Sequence, residues 1–326
     1  MKLVPWLAAG VLFSTSALIA QPTVMESELG KAGAIDRETT TDEVKLGTDI
    51  RQRMTVPVSV VGRGPYRFLV DTGAERTIIS RQLASELQLE SGRNTILHSV
   101  VGVNAVKTVQ IPRLQVSTRM MSVNNAPALE AGNIGADGML GIDSLRSQRV
   151  LFDFKAGTMS ITPTPRKAER IDKDEIVVRA KSRQGRLVFT KAHIDGQPVT
   201  VIIDTGSQVT IGNLALERAL RRRQTAVPEQ MVIESVMGET LTARYAILKE
   251  LQLGSGVGLT KLAVAFADAH IFRKLGLQNR PAVLLGMNAM RAFDRMSIDF
   301  AEKKVRFVLP STSMLDDVRM AEARPL

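Results

Sequence analysis

Residues 68–74 read FLVDTGA, and residues 201–207 read VIIDTGS. In both stretches an apolar run typical of a buried strand leads directly into Asp-Thr-Gly. The glycine two positions after the aspartate permits a tight turn in which backbone amides can point back at the carboxylate. Asp71 and Asp204 are therefore expected at the ends of two buried strands, each held in a tight loop.

Further landmarks recur in the same order in the two halves of the chain. SVVG at 99–102 returns as SVMG at 235–238, MLG at 139–141 as LLG at 284–286, and LFDF at 151–154 as SIDF at 297–300. The spacing between copies grows from 133 to 146 positions, which a longer surface loop in the second half absorbs cheaply. An internal duplication of this kind predicts two lobes of one architecture.

The local signals are mostly those of strands. Val56, Val58 and Val60 alternate with other residues at a period of two, and Asp195-Gly196 is typical of a hairpin turn. Short helices are expected at about 80–89 and 213–222, and after Gly141 and Gly286. The predicted fold class is mainly β, with two tandem β lobes related by a pseudo-twofold axis and a few short helices.

The predicted organisation follows from composition along the chain. A positive start and an apolar run ending in small residues indicate a signal peptide at 1–20, with an uncleaved membrane anchor as the alternative. The remaining predicted segments are a mobile leader at 21–43, lobes at 44–165 and 176–310, a linker at 166–175 and a tail at 311–326. Together with the absence of cysteine, the signal favours an exported protein, either periplasmic or secreted.

Composition weighs against several other classes of function. The net charge of +10 includes the run Arg221-Arg222-Arg223, but basic residues are not interleaved with aromatic ones, so no nucleic-acid partner is expected. His98, His193 and His270 are the only histidines and none is spaced as a metal ligand, so no metal is expected. Glycine-rich phosphate loops are absent, and we expect no cofactor.

Two carboxylates brought together by duplicated loops have a defined chemistry. In a poorly solvated cleft both cannot ionise easily, so the pair retains one proton. The ionised member can take a proton from a water molecule while the protonated member hydrogen-bonds a substrate carbonyl. Such a pair hydrolyses a peptide bond without a covalent intermediate.

These motifs resemble those of aspartic peptidases of the pepsin and retropepsin type, over about residues 56–310. The resemblance implies the acid-protease fold, an aspartic endopeptidase activity and a peptide or protein substrate. It also implies that Asp71 and Asp204 are the catalytic pair. The residues implied to support the catalytic loops are Thr72, Gly73, Thr205 and Gly206. The residues implied to contact substrate from the flaps are Val101, Gly102, Met237 and Gly238. No tyrosine lies near Gly102, so the chain is more similar to bacterial retropepsin-like proteins with two fused repeats.

Alternative interpretations remain open from the sequence. The fold could serve as a catalytically silent peptide-binding or envelope interaction module. The lobes could also pair between chains, although the short linker favours pairing within a monomer. Asp153 and Asp299 are interpreted as strand-edge or turn residues, and Asp137 and Asp143 as surface carboxylates without a counterpart at Gly286. Since Ala74 offers no hydroxyl to the first carboxylate, activity is expected to lie towards neutral pH.

Overall fold

The computed structural model describes residues 23–25, 42–45, 47–48, 54–116, 119–146, 148–164, 175–221, 229–254 and 256–310. The predicted signal peptide and tail, most of the leader, and the linker apart from Glu175 lie outside these ranges. No helix within the described ranges is both long enough and apolar enough to cross a bilayer.

The first half of the chain contributes thirteen of the described strands and three helices, in this order. The strands are β1 Thr23–Met25, β2 Asp42–Lys45, β3 Gly47–Thr48, β4 Met54–Val60, β5 Arg63–Val70, β6 Ile78–Ser80, β7 Thr95–His98, β8 Val103–Val106, β9 Thr108–Val116, β10 Arg119–Leu129, β11 Gly138–Leu140, β12 Gln148–Asp153 and β13 Thr158–Pro163. The helices are α1 Arg81–Glu86, α2 Ala131–Ile134 and α3 Ile142–Leu145.

The second half contributes eleven described strands and three helices. The strands are β14 Glu175–Arg179, β15 Lys181–Arg183, β16 Arg186–Ile194, β17 Gln197–Ile203, β18 Thr210–Gly212, β19 Glu229–Glu234, β20 Thr240–Leu253, β21 Val257–Phe266, β22 Ala282–Leu285, β23 Arg295–Asp299 and β24 Lys304–Val308. The helices are α4 Leu214–Leu220, α5 His270–Lys274 and α6 Met287–Met290.

Each half of the chain supplies most of one barrel-like lobe, and β1 of the first half joins the sheet of the C-terminal lobe. In the N-terminal lobe the strand order is β3-β4-β5-β11-β6-β10-β9, and a further β4–β9 pairing closes the sheet. In the C-terminal lobe the order is β1-β21-β18-β22-β17-β16-β20-β19, with β15 beside β16 and a closing β20–β21 pairing. The predicted fold class of two tandem β lobes with short helices is therefore confirmed.

A third sheet joins the lobes. Its order is β14-β24-β23-β12-β13-β2, and the central pairing of β12 with β23 brings one strand from each lobe together. Buried side chains of this sheet, such as Phe152, Ile298 and Phe307, belong to a hydrophobic core that extends into both lobes. The two lobes consequently share one continuous core.

Local sequence signals explain the elements that flank the site. Ser80 and Asn213 cap the N-terminal ends of α1 and α4, as expected for these residue types. The side-chain oxygen of each accepts a hydrogen bond from a backbone amide, that of Leu83 or of Leu216. Helix α1 begins at Arg81 and helix α4 at Leu214, each one residue after the predicted start. They end at Glu86 and Leu220, three and two residues before the predicted ends. The predicted hairpin turn is present, since Asp195 and Gly196 have φ of 49° and 75°.

Three further carboxylates, Asp143, Asp153 and Asp299, form structural hydrogen bonds. Asp153 and Asp299 are the last residues of β12 and β23 and accept the amides of Ala156 and Glu302, which agrees with their interpretation as strand-edge or turn residues. Asp143 is exposed, which agrees with its interpretation as a surface carboxylate, but its side chain also accepts both the amide and the hydroxyl of Thr77. Its counterpart near Gly286 is an amide rather than a carboxylate, which concealed the equivalence.

That counterpart is Asn288, whose Oδ1 accepts the amide of Thr210 at 2.9 Å and its hydroxyl at 2.8 Å. Each hydroxyl in turn accepts the amide of the glycine after the apolar pair, Gly141 or Gly286, at 3.1 Å. These bonds fix the loop after β11 or β22 against the strand that follows the aspartate motif. The same brace therefore supports both halves of the site.

Candidate active site

Parallel strand pairs place the two aspartates at equivalent points of the lobes. β11 lies alongside the end of β5, and β22 lies alongside the end of β17. The Asp71 amide donates to the Leu140 carbonyl at 3.0 Å, and the Asp204 amide donates to the Leu285 carbonyl at 3.0 Å. The apolar pairs Met139-Leu140 and Leu284-Leu285 are thus the supports of the two aspartate loops.

Two threonines join the loops to each other. The Thr72 amide donates to Thr205 Oγ1 at 2.9 Å, and the Thr205 amide donates to Thr72 Oγ1 at 3.1 Å. The hydroxyls also donate hydrogen bonds to the opposite lobe, Thr72 Oγ1 to the Ile203 carbonyl at 3.1 Å and Thr205 Oγ1 to the Val70 carbonyl at 2.7 Å. All four bonds run between lobes, so the position of each aspartate depends on the other half of the chain.

The motif glycines allow the carboxylates to approach one another. A Cβ atom on Gly73 would lie 2.5 Å from Asp204 Oδ1, and one on Gly206 would overlap the Asp71 carboxylate. Each carboxylate therefore packs against the glycine of the opposite motif. Asp71 and Asp204 are 8% and 7% exposed, so the pair is largely removed from water.

The two carboxylates have different hydrogen-bond environments. Asp71 Oδ1 accepts the amides of Gly73 at 2.7 Å and Ala74 at 2.9 Å, whereas Asp204 Oδ1 accepts the Gly206 amide at 3.1 Å. Burial, followed by the charge of Asp71 and a hydrogen bond with it, raises the pKa of Asp204 to about 8 against the opposing effect of Arg186. Burial and the neighbouring carboxylate thus favour a proton on Asp204 at neutral pH.

A cavity of about 430 Å³ lies directly above the pair. Most of its apolar lining is duplicated, because five residues from the first half have an apolar partner at the equivalent position of the second half. The five pairs are Ile78 and Ile211, Ile96 and Val232, Leu97 and Ile233, Val100 and Val236, and Met139 and Leu284. The lining therefore offers apolar surface on both sides of the carboxylates.

Two hairpins cover the cavity. The N-terminal flap is residues 95–106, formed by β7 and β8, and the C-terminal flap is residues 229–245, formed by β19 and the first part of β20. Val100 packs against a hydrophobic cluster of the C-terminal lobe, and Val236 packs against one of the N-terminal lobe. Each flap therefore reaches across the cleft to the opposite lobe.

The predicted flap residues lie at the tips of these hairpins. Val101 and Gly102 form the turn in which both amides donate to Ser99 Oγ, at 3.1 and 2.8 Å. Met237 packs against the N-terminal lobe, and a Cβ atom on Gly238 would lie 2.8 Å from the side-chain nitrogen Nδ2 of Asn133. The cavity is lined instead by the residues just before the tips, including Ser99, Val100, Ser235 and Val236.

A charged cluster at one end of the cavity was not predicted from the sequence. Arg186, which is buried, donates to the Gly73 carbonyl at 2.7 Å and to Glu75 Oε1 at 2.7 Å, and Lys274 Nζ donates to the same oxygen at 2.8 Å. Burial pushes the pKa of Glu75 upward, but the bonds from Lys274 and Arg186 outweigh it and leave the pKa below its ordinary value. The equivalent of Glu75 in the second half is the neutral Gln208, so the two ends of the cavity differ in charge.

Two of the three histidines also meet at this end of the cavity. His98 Nδ1 and His270 Nε2 are 2.8 Å apart, although the residues are 172 positions apart in sequence. Within the described ranges no group of three or more histidine, aspartate or glutamate side chains is arranged to hold a metal ion. Sequence spacing alone offered no signal for the histidine pair or for Arg186, because the partners come from different lobes.

Comparison with protein families agrees with this geometry. Residues 56–147 match the gag-polyprotein aspartyl protease family, and residues 190–289 match a second family described as aspartyl protease. No curated protein matches the chain. Each matched segment contains one aspartate motif together with its flap and its apolar support, and the two segments follow one another in one chain. The chain belongs to the retropepsin-like aspartic peptidases, with two repeats in tandem.

Proposed function

We propose that this protein is an aspartic endopeptidase that hydrolyses peptide bonds with a water molecule activated between Asp71 and Asp204. The observation that carries the proposal is the packing of each carboxylate against the glycine of the opposite motif, beneath a covered apolar cavity. The family matches support a protease-type function, and the paired carboxylates give it a mechanism.

The proposed reaction uses the difference between the two carboxylates. Asp71, ionised, takes a proton from water as the water oxygen attacks the peptide carbonyl carbon. Asp204, protonated, donates its proton to the carbonyl oxygen, which gives a neutral tetrahedral diol. The carbon–nitrogen bond then breaks as the departing nitrogen takes a proton from Asp71, and one diol hydroxyl returns its proton to Asp204. No covalent intermediate and no cofactor are needed.

The substrate is a peptide or protein chain, bound in extended form between the lobes. The duplicated apolar lining favours apolar side chains on both sides of the scissile bond, since burying them removes apolar surface from water. We expect one chain to contain a complete site, because the bonds between Thr72 and Thr205 form within it. A monomer is therefore the proposed active form.

The experiment is incubation of the purified protein with a mixed peptide library, with and without a statine-type inhibitor. Cleavage that the inhibitor abolishes is expected for the unmodified protein. Asp71→Asn and Asp204→Asn are each expected to lower cleavage by at least about a thousandfold, because either change removes one of the two proton-transfer roles. Asp153→Asn is the matched control, since its side-chain oxygen can still accept the Ala156 amide far from the cavity.

The alternative, a catalytically silent peptide-binding module, gives a different result in the same assay. Peptides would then bind to the unmodified protein by calorimetry without being cleaved. Cleavage that persists in both Asp71→Asn and Asp204→Asn would instead place the chemistry elsewhere and overturn the proposed pair. Both carboxylates are retained in this chain and paired at close range, which a binding role alone does not require.

We also propose that the protein is exported, to the periplasm or beyond. The support is in the sequence, where Lys2 precedes an apolar run and small residues lead to Ala20. Cell fractionation with N-terminal sequencing of the mature protein tests this proposal. A cytoplasmic product that retains Met1 would contradict it.

A further inference from the structure

The N-terminal flap is attached to the C-terminal half of the molecule by a small set of polar contacts. The His270 amide donates to the Val100 carbonyl at 2.7 Å, and His98 Nδ1 and His270 Nε2 share a hydrogen bond of 2.8 Å. Glu239 on the C-terminal flap accepts Ser99 Oγ at 3.0 Å and Asn104 Nδ2 at 2.8 Å. These contacts hold the flap across the cavity.

Both flaps also pack apolar side chains against the opposite lobe, but only the N-terminal flap contributes a histidine. Val236 and Met237 pack against an apolar cluster of the N-terminal lobe that includes Val106, Ile134 and Met139. The position equivalent to His98 in this flap is Glu234. A titratable histidine pair is therefore a feature of one flap only, and the two flaps should respond differently to pH.

The hydrogen bond between the two imidazole rings requires that at least one of them be neutral. One ring must supply an unprotonated nitrogen as acceptor, and the ring centroids are 5.1 Å apart with an angle of 9° between the planes. When both rings are protonated, the bond is lost and two positive charges face each other. Histidine is the side chain that undergoes this change between about pH 5 and 8.

The surrounding charges do not compensate for a second proton on the pair. The cations are Arg186, Arg273 and Lys274, and the carboxylates are Glu75 and Glu239. Glu75 already accepts Arg186 and Lys274, and Glu239 already accepts Ser99 and Asn104. Glu75 Oε1 and both carboxylate oxygens of Glu239 are therefore already engaged by donors other than the two rings.

We propose that the His98–His270 pair is a latch that holds the N-terminal flap closed when the pair shares one hydrogen bond and releases it when acid protonates both rings. Burial and the neighbouring cations lower the pKa of both histidines, so the latch is intact above the ordinary histidine pKa and is lost as the pH falls below it. Release exposes the cavity above Asp71 and Asp204. The latch is a conformational property and does not depend on the proposed hydrolysis.

The absence of cysteine makes a distance measurement simple, because two introduced cysteines can be spin-labelled without competing sites. Val103→Cys places one label on an exposed position of the N-terminal flap, and Gln278→Cys places the other on the surface of the C-terminal lobe after α5. At about pH 7.5 the label-to-label distance should be single and short, and at about pH 5.5 a longer distance should appear.

The decisive variant is His98→Asn combined with His270→Gln in the labelled protein. The asparagine amide replaces Nδ1 and the glutamine amide replaces Nε2, so a hydrogen bond can form but neither side chain can take up a proton. The short distance is expected at both pH values in this variant. His193→Gln is the matched control, since it removes the third histidine, which is exposed on β16, and should leave the pH response unchanged.

Three results would overturn the latch. The first is one distance at both pH values in the labelled protein, and the second is an acid-induced distance that persists in the His98→Asn/His270→Gln variant. The third uses the unmodified protein and so does not depend on how the variants fold. Hydrogen-exchange protection of the His270 amide, which donates to Val100, is expected to fall several-fold at the lower pH, and an unchanged protection factor contradicts release.

Discussion

At the residue scale, the local hydrogen bonds make the two carboxylates unequal. Ser207, at the position equivalent to Ala74, uses its hydroxyl to donate to the Val209 carbonyl at 2.7 Å. Neither carboxylate therefore accepts a hydrogen bond from a hydroxyl of the residue after its glycine. Asp71 does accept a hydrogen bond from the Ala74 backbone amide. The difference between the halves lies in the number of backbone amides, which the printed sequence does not reveal.

This inequality leads to a prediction about pH. The pKa of Asp204 is raised to about 8, so its proton remains in place at neutral pH and is lost only as the pH rises through that value. Peptide cleavage should therefore persist to neutral pH and decline in the alkaline range. The profile of kcat/KM between about pH 3 and 10 measures this, because it reports the free enzyme's essential groups. Activity confined to strongly acid solution would contradict the raised pKa.

The motif glycines make a second prediction at this scale. In Gly206→Ala the new methyl group would overlap the Asp71 carboxylate, so one carboxylate must move. A displacement of about 1 Å at a reacting group can cost on the order of a hundredfold in rate, and we expect a loss of at least that size in kcat/KM. Gly132→Ala is the control, because a Cβ atom at that position meets no atom within 4 Å. Equal activity in the two variants would show that the carboxylates do not need this close approach.

At the scale of the elements, the Thr72–Thr205 interlock can be tested by removing one hydroxyl. Thr72→Val keeps the shape of the side chain but leaves the buried Thr205 amide without its acceptor. An unsatisfied buried group of this kind costs about 1–3 kcal/mol, and the free energy of unfolding should fall by that amount in urea titration. Thr72→Ser retains the hydroxyl and should lose less. A loss in Thr72→Ser that equals or exceeds the loss in Thr72→Val would contradict this prediction, because the methyl group would then stabilise the loops at least as much as the hydroxyl does.

Most of the fold at this scale could be predicted, because the information was local or repeated. Alternation at Val56, Val58 and Val60 predicted a half-buried strand, and all three side chains are buried in β4. The duplicated motif predicted two equivalent aspartate loops. The hydrogen bonds of Asp143 to Thr77 were not predicted, because its counterpart Asn288 makes the equivalent bonds with an amide, and the two residue types do not match in the repeated sequence.

The contacts between lobes could not be predicted in the same way. His98 reaches His270, and Arg186 reaches Glu75, over 172 and 111 positions of sequence, and no motif links either pair. The flap residues that line the cavity also differ from the glycine-rich tips that the repeat made visible. Pairings of this kind depend on how the two lobes are oriented against each other. The sequence has no periodic pattern at these positions that would indicate that orientation.

At the scale of the whole molecule, the shared core predicts that the two lobes unfold together. Ile298 in β23 is fully buried and lies opposite Val150 of the other lobe in the sheet that joins them. Ile298→Ala should lower the free energy of unfolding by about 2–5 kcal/mol through lost burial and the cavity left behind. Because the core is continuous, calorimetry of this variant should show one transition at a lower temperature rather than two separated transitions.

The control is Ile247→Ala, which removes the same atoms from a side chain that is 52% exposed and should change stability by less than about 0.5 kcal/mol. The ratio of calorimetric to van't Hoff enthalpy measures cooperativity, and a value near one is expected for both variants. Two resolved transitions in Ile298→Ala would mean that each lobe has an independent core. In that case the interlocked threonines alone would align the two carboxylates, and cleavage should fail at the lower of the two transition temperatures.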